Sequence, residues 1–141
     1  MLSRIAALAV ILLAACAATQ SKPQTPWRVE LATSGGMAGR GLGNVTVDSD
    51  GNVSVTTMTR KSCTAHATAQ ELSRIETLLA GSHAERWDSY FPENKCCDRI
   101  EYRLTYAEHA AEWIDDGPPR PEDVVKLAEA LTALRTKYAC P

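Results

Sequence analysis

Cysteine, histidine and glycine carry the chemistry available to this chain. Five cysteines stand at positions 16, 63, 96, 97 and 140, and three histidines at 66, 83 and 109. Cys63-x-x-His66 has the spacing of zinc ligands. No second such pair and no Cys-x-x-Cys accompanies it, so neither a metal nor another cofactor is expected. The histidines lie in separate polar stretches, none beside a motif that would make it a base. They read as surface residues, and no catalytic residue is assigned. The run Ser34-Gly35-Gly36-Met37-Ala38-Gly39-Arg40-Gly41-Leu42-Gly43 suggests a phosphate cradle, but no Gly-Lys-Ser/Thr follows, and the next segment has the pattern of a strand rather than a helix. Two readings remain. It is a flexible connection between strands, or a loop whose glycines let a partner's backbone come close, with Arg40 as the specific contact. Asp48-Ser49-Asp50-Gly51 looks like half a calcium loop, yet threonine falls at the first and the bidentate ligand positions. A hairpin turn explains it better.

Cys16 has a different context. Met1-Leu-Ser-Arg4 carries one positive charge, and Ile5 to Ala15 is apolar throughout. A bilayer span needs about 20 apolar residues, so this stretch has the length of an export signal instead. It ends in Leu13-Ala14-Ala15-Cys16, which resembles the lipobox of bacterial lipoproteins. That resemblance implies removal of residues 1–15 and lipidation of the Cys16 thiol. Two or three acyl chains, at about 0.8 kcal/mol per buried methylene, would hold the protein to a membrane. Ala17 stands where the sorting pattern of enteric bacteria has aspartate for inner-membrane retention, which implies the outer membrane. Residues 16–25 then form the lipidated end and a polar tether. Nine such residues at about 3.3 Å each reach about 30 Å.

The remaining 126 residues suit one domain, residues 26–141. Without Arg4 they carry 14 basic and 17 acidic side chains, and no basic stripe appears, which excludes nucleic acid as a partner. In an oxidising compartment Cys63, Cys96, Cys97 and Cys140 are expected to form two disulfides. Three connectivities are open. A vicinal Cys96–Cys97 bridge would be strained, which favours Cys63 and Cys140 each taking one of that pair.

Hydrophobic periodicity sets the elements. Trp27, Val29 and Leu31 alternate with polar or small residues, as a strand does. Val45 and Val47, then Val53 and Val55, flank the turn-rich Asp48 to Asn52 as a hairpin. Thr68 and Glu71 make a capping-box pattern ahead of Leu72, Ile75, Leu78 and Leu79, which predicts a helix over 69–80 closed by Gly81. Trp87, Tyr90 and Phe91 suggest a short helical turn. Ile100, Tyr102, Leu104 and Tyr106 form the clearest strand, with a partner over 110–114. After Pro118, Pro119 and Pro121, a second helix carries Val124, Leu127, Ala128, Leu131, Leu134 and Tyr138 on one stripe, and Cys140 pins its end. The expected class is α+β: an antiparallel sheet of four to five strands with two amphipathic helices on one face.

The run Val29-Glu-Leu31-Ala-Thr-Ser34-Gly35-Gly36-Met37-Ala38-Gly39, the Val47-Asp48 strand end, the leucine-rich helix, the Asp98-to-Tyr102 strand and the C-terminal helix resemble, in that order, emfourin-type proteins. These are small bacterial inhibitors of thermolysin-like metalloproteases, and the similarity extends over about 110 residues. Met37 replaces the family's usual aromatic residue, and the cysteines are additions. The resemblance implies a protein partner, with an envelope metalloprotease as the candidate. Ser34, Gly35, Gly36, Met37 and Arg40 are the contact residues suggested by the glycines. The rival expectations are a structural or assembly lipoprotein of the cell envelope without inhibitory activity, and an enzyme with a cleft of clustered titratable groups.

Overall fold

A computed structural model describes residues 25–93 and 98–141. The order of elements is β1 (Arg28–Gly35), β2 (Asn44–Asp48), β3 (Asn52–Thr56), β4 (Ser62–His66), α1 (Ala69–Ala80), β5 (Ser89–Tyr90), β6 (Ile100–Tyr106), β7 (His109–Ile114) and α2 (Glu122–Lys137). The described residues are α+β, with two α-helices and one seven-stranded sheet in the order β4-β3-β2-β1-β6-β7-β5. All pairings are antiparallel except β5 with β7, which makes the sheet mixed. The expected four to five antiparallel strands fall short by β4 and β5.

Alternation decides the two faces. Val29 and Leu31, Val45 and Val47, Val53 and Val55, and Leu104 are all but fully buried on one face. They form a single cluster with Ile75 and Leu79 of α1 and Val124, Leu127, Ala130, Leu131 and Leu134 of α2. Arg28, Glu30, Thr46, Ser54, Thr64 and Arg103 take the intervening positions and turn to the other, polar face. Both helices therefore cover the same face of the sheet.

Polar contacts at the ends of the helices fix how they lie against each other. At the start of α1, Thr68 Oγ1 accepts from Glu71 N (3.3 Å) and Glu71 Oε2 accepts from Thr68 N (2.9 Å), which completes the capping box read from the sequence. Glu71 also accepts from Lys137 Nζ (2.7 Å) and Tyr138 Oη (2.8 Å) at the end of α2. At the opposite ends, Asp123 at the start of α2 accepts from His83 N (3.0 Å) and Trp87 Nε1 (3.0 Å), just beyond α1. The helices are thus antiparallel and latched at both ends. Burial opposes the Asp123 charge, but the bonds from Trp87 and His83 outweigh it and hold this carboxyl below its ordinary range. Gly81 ends α1 in the right-handed region (φ −90°) and donates to Thr77 O, so it does not use the left-handed conformation that favours glycine.

Glu71 makes stability depend on pH. The Lys137 ammonium beside it, with further bonds from Thr68 and Tyr138, lowers its carboxyl to about 2. A carboxyl lowered on folding contributes stability above its ordinary pKa and loses it as pH falls through the folded value. Glu71→Gln should therefore lower the urea midpoint at pH 6, with a cost of about 1 kcal/mol because the pair is screened by solvent. The gap between variant and parent should close between pH 5 and pH 2, as read by urea denaturation at several pH values. A gap that stays constant down to pH 2 would show that Glu71 acts by shape alone.

The remaining cysteines also correct an expectation. Cys63 of β4 is bonded to Cys140, 77 residues away, and not to the 96–97 pair. The reason is positional. Cys63 lies on the inner side of an edge strand, opposite Val55, where the chain arrives after α2. Cys16, Cys96 and Cys97 lie outside the described residues, as do the expected export signal, residues 1–15, and all but Thr25 of the expected tether.

Candidate functional site

Of the sequence-predicted contact residues, Ser34 and Gly35 prove to be the last two residues of β1. They pair with Glu101 and Ile100 of β6, so the free connection is shorter than the sequence suggests. The segment beyond is held by its own backbone. Gly36 N donates to Arg99 O (2.9 Å), Gly39 N to Gly36 O (2.8 Å) and Gly41 N to Gly35 O (2.9 Å). At its base Thr33, buried, donates from Oγ1 to Gly43 O (2.7 Å) and accepts from Leu42 N (2.7 Å), and Asn44 Oδ1 accepts from Thr33 N (3.0 Å). Arg135 of α2 adds a bond from Nη1 to Gly43 O (3.0 Å).

The glycines serve this close packing rather than flexibility. A Cβ at Gly41 would stand 2.5 Å from the Thr33 carbonyl, and one at Gly43 would be built onto the Thr56 carbonyl oxygen. Both residues have positive φ, 62° and 90°. Only Gly39, at the tip, has open space where its Cβ would be. The loop is pre-formed at its base and presents Met37, Ala38, Gly39 and Arg40 to solvent. Met37 is 93% exposed, the most of any large hydrophobic side chain described. The Arg40 side chain makes no hydrogen bond or ion pair with another described residue.

Sequence reasoning missed a second set of residues at the same end of the sheet. Leu42 of this loop is 42% exposed, and Met58, in the turn between β3 and β4, is 52% exposed. They flank a groove of about 410 Å³ whose wall includes Val55, Arg135 and Ala139. Leu42 could have been singled out as an aliphatic side chain in a glycine-rich connection. Arg135 carries no such signal, since it reads as the polar side of a helix.

The histidines are not brought together. His66 ends β4 with its ring over Gly51, and His109 begins β7, five strand positions away. At about 4.8 Å per strand that separates them by about 24 Å. His83, after α1, lies 3.5 Å from the Glu85 carboxylate in solvent. Cys63 and His66 take opposite faces of β4, and Cys63 is held in its disulfide, so the zinc-like spacing does not form a ligand pair. Among the described residues no three His, Cys, Asp or Glu side chains are grouped to hold a metal. No described helix is long and apolar enough to cross a membrane.

No protein-family model and no curated protein matches the chain.

Proposed function

We propose that this is a lipid-anchored envelope protein whose domain binds another protein through the pre-formed loop at Met37–Arg40, as an inhibitor of an envelope metalloprotease. The observation that carries the reading is the combination of an almost fully exposed Met37 and an exposed Arg40, unpaired among the described residues, on a loop whose base is closed by hydrogen bonds. A methionine held in solvent on a fixed loop offers a partner an adaptable, polarizable apolar contact. A loop already in its bound shape loses little entropy on docking. The resemblance to emfourin-type inhibitors supplies the class of partner. The lipobox at 13–16 supplies the anchor on Cys16 and, with Ala17, the outer membrane.

The direction of β1 is consistent with that arrangement. The tether would enter at Thr25, and β1 runs from Arg28 to Gly35, about 24 Å at the usual rise per residue. The loop therefore stands at the far end of the sheet from the tether. A structural or assembly role without inhibition is the second reading, favoured by the buried side-chain polar atoms of the described residues, all of which have a hydrogen-bond partner.

Capture from envelope extract by the oxidised mature protein, with protease activity followed in the bound fraction, separates the two. A stoichiometric complex with a metalloprotease whose activity falls as the protein is added is the result expected for an inhibitor. Capture of envelope structural proteins alone, with proteolysis unchanged, would leave the structural role.

A further inference from the structure

The groove beside the loop combines two features that ordinarily exclude each other. Its walls are apolar, with Leu42 and Met58 exposed and Val55 and Ala139 between them. Into it projects Arg135, half-buried, whose one hydrogen bond to a described residue goes to the Gly43 carbonyl. A guanidinium has five N–H donors. No carboxylate of the described residues lies within ion-pair distance of this one. Partial loss of water disfavours its charge. An anion arriving in the groove would restore what the described residues leave unmatched, and the apolar walls favour an anion that carries an aliphatic group.

We infer that the groove binds the C-terminal carboxylate of a peptide ending in an aliphatic residue, with the carboxylate on Arg135 and the last side chain between Leu42 and Met58. A C-terminal residue carries both groups on one carbon, which suits a groove of about 410 Å³ where the cation and the apolar walls share one opening. The Thr57, Thr59 and Thr136 hydroxyls that also line it are engaged within the protein, Thr57 with Thr59 and Lys61 and Thr136 with the Thr132 carbonyl, so the last residue of the peptide carries the recognition. A long fatty acid shares the chemistry of carboxylate and chain, but it would leave most of its methylenes in water here. The assignment does not depend on protease inhibition, since it concerns short peptides and a different set of side chains.

The test is fluorescence anisotropy of a dye-labelled Ala-Ala-Ala-Leu peptide, as free acid and as C-terminal amide, with the oxidised mature protein. The free acid should bind about tenfold tighter than the amide, the loss expected for one charge-assisted contact. Arg135→Gln, which keeps a donor for Gly43, should erase that ratio. Met58→Ala, at an exposed position, should weaken the acid about fivefold at unchanged melting temperature. Equal binding of acid and amide, a ratio that survives Arg135→Gln, or no saturation by about 5 mM peptide would overturn the assignment. Laurate displacing the peptide at lower concentration than unlabelled peptide would overturn the choice of a peptide as ligand.

Discussion

Replacing Cys63 and Cys140 together by alanine should lower the unfolding free energy by about 4 kcal/mol. The bridge joins residues 77 apart, so in the unfolded chain it closes most of the domain into one loop. The chain-entropy relation puts that constraint at about 4.5 kcal/mol, from which incomplete expansion of the unfolded state subtracts. The native state contributes as well. The bridge ties the end of α2 to β4, an edge strand paired only with β3, and Lys61 just ahead of β4 donates to the Pro141 carbonyl. The double replacement leaves neither partner of the bridge as a lone thiol. Urea denaturation of parent and variant under oxidising conditions gives the difference directly. Equal midpoints would mean that the parent carries no such bridge in solution, and peptide mapping without reductant would then show Cys63 paired elsewhere.

The second large effect is expected at Gly43. An alanine there would place its Cβ onto the Thr56 carbonyl oxygen and 3.1 Å from Thr57 Cα, at a φ of 90°. The conformation alone costs about 1–2 kcal/mol for an L-residue. The collision is with backbone, so β2 and β3 must move apart, and with them the Gly43 carbonyl that accepts from both Thr33 and Arg135. Gly43→Ala should cost about 3–4 kcal/mol in total. Gly39→Ala is the matched comparison, with a φ of 63° and no atom within 4 Å of the new Cβ, and should cost only about 1 kcal/mol. Thermal denaturation of the two variants checks the pair. Equal losses would mean that the base of the loop yields easily, and the loop would then not be pre-formed.

These effects also mark where the sequence is silent. The valine alternations of β1, β2 and β3, and the Thr68–Glu71 capping box of α1, are local signals, and the elements form where those signals lie. β4 has no such signal. Ser62-Cys-Thr-Ala-His66 is an edge strand with only Cys63 and Ala65 partly covered, so it needs no large apolar side chain. β5 is two residues long, too short for any period to register. The Cys63–Cys140 bridge has no signal in the spacing of the cysteines, because their pairing depends on where α2 ends in space. The glycine-rich loop was legible as unusual, but its purpose was not. Positions 35, 41 and 43 need glycine because the Arg99, Thr33 and Thr56 backbone lies against them, and those neighbours are distant in sequence. Arg135 was hidden for the same reason, since its Gly43 acceptor is 92 residues away.

The most direct test of the proposed role is a titration of a thiol-independent envelope metalloprotease with the oxidised mature protein and with its Met37→Asp and Arg40→Ala variants, following hydrolysis of a fluorogenic peptide. Both side chains point to solvent, so the variants should melt within about 1 °C of the parent. Stoichiometric inhibition by the parent is expected, with a loss of about a hundredfold for Met37→Asp, as removal of a central interface anchor gives. Inhibition unchanged by either substitution, or none at a large molar excess of the parent, would contradict the assignment of the Met37–Arg40 loop as the surface that binds the protease.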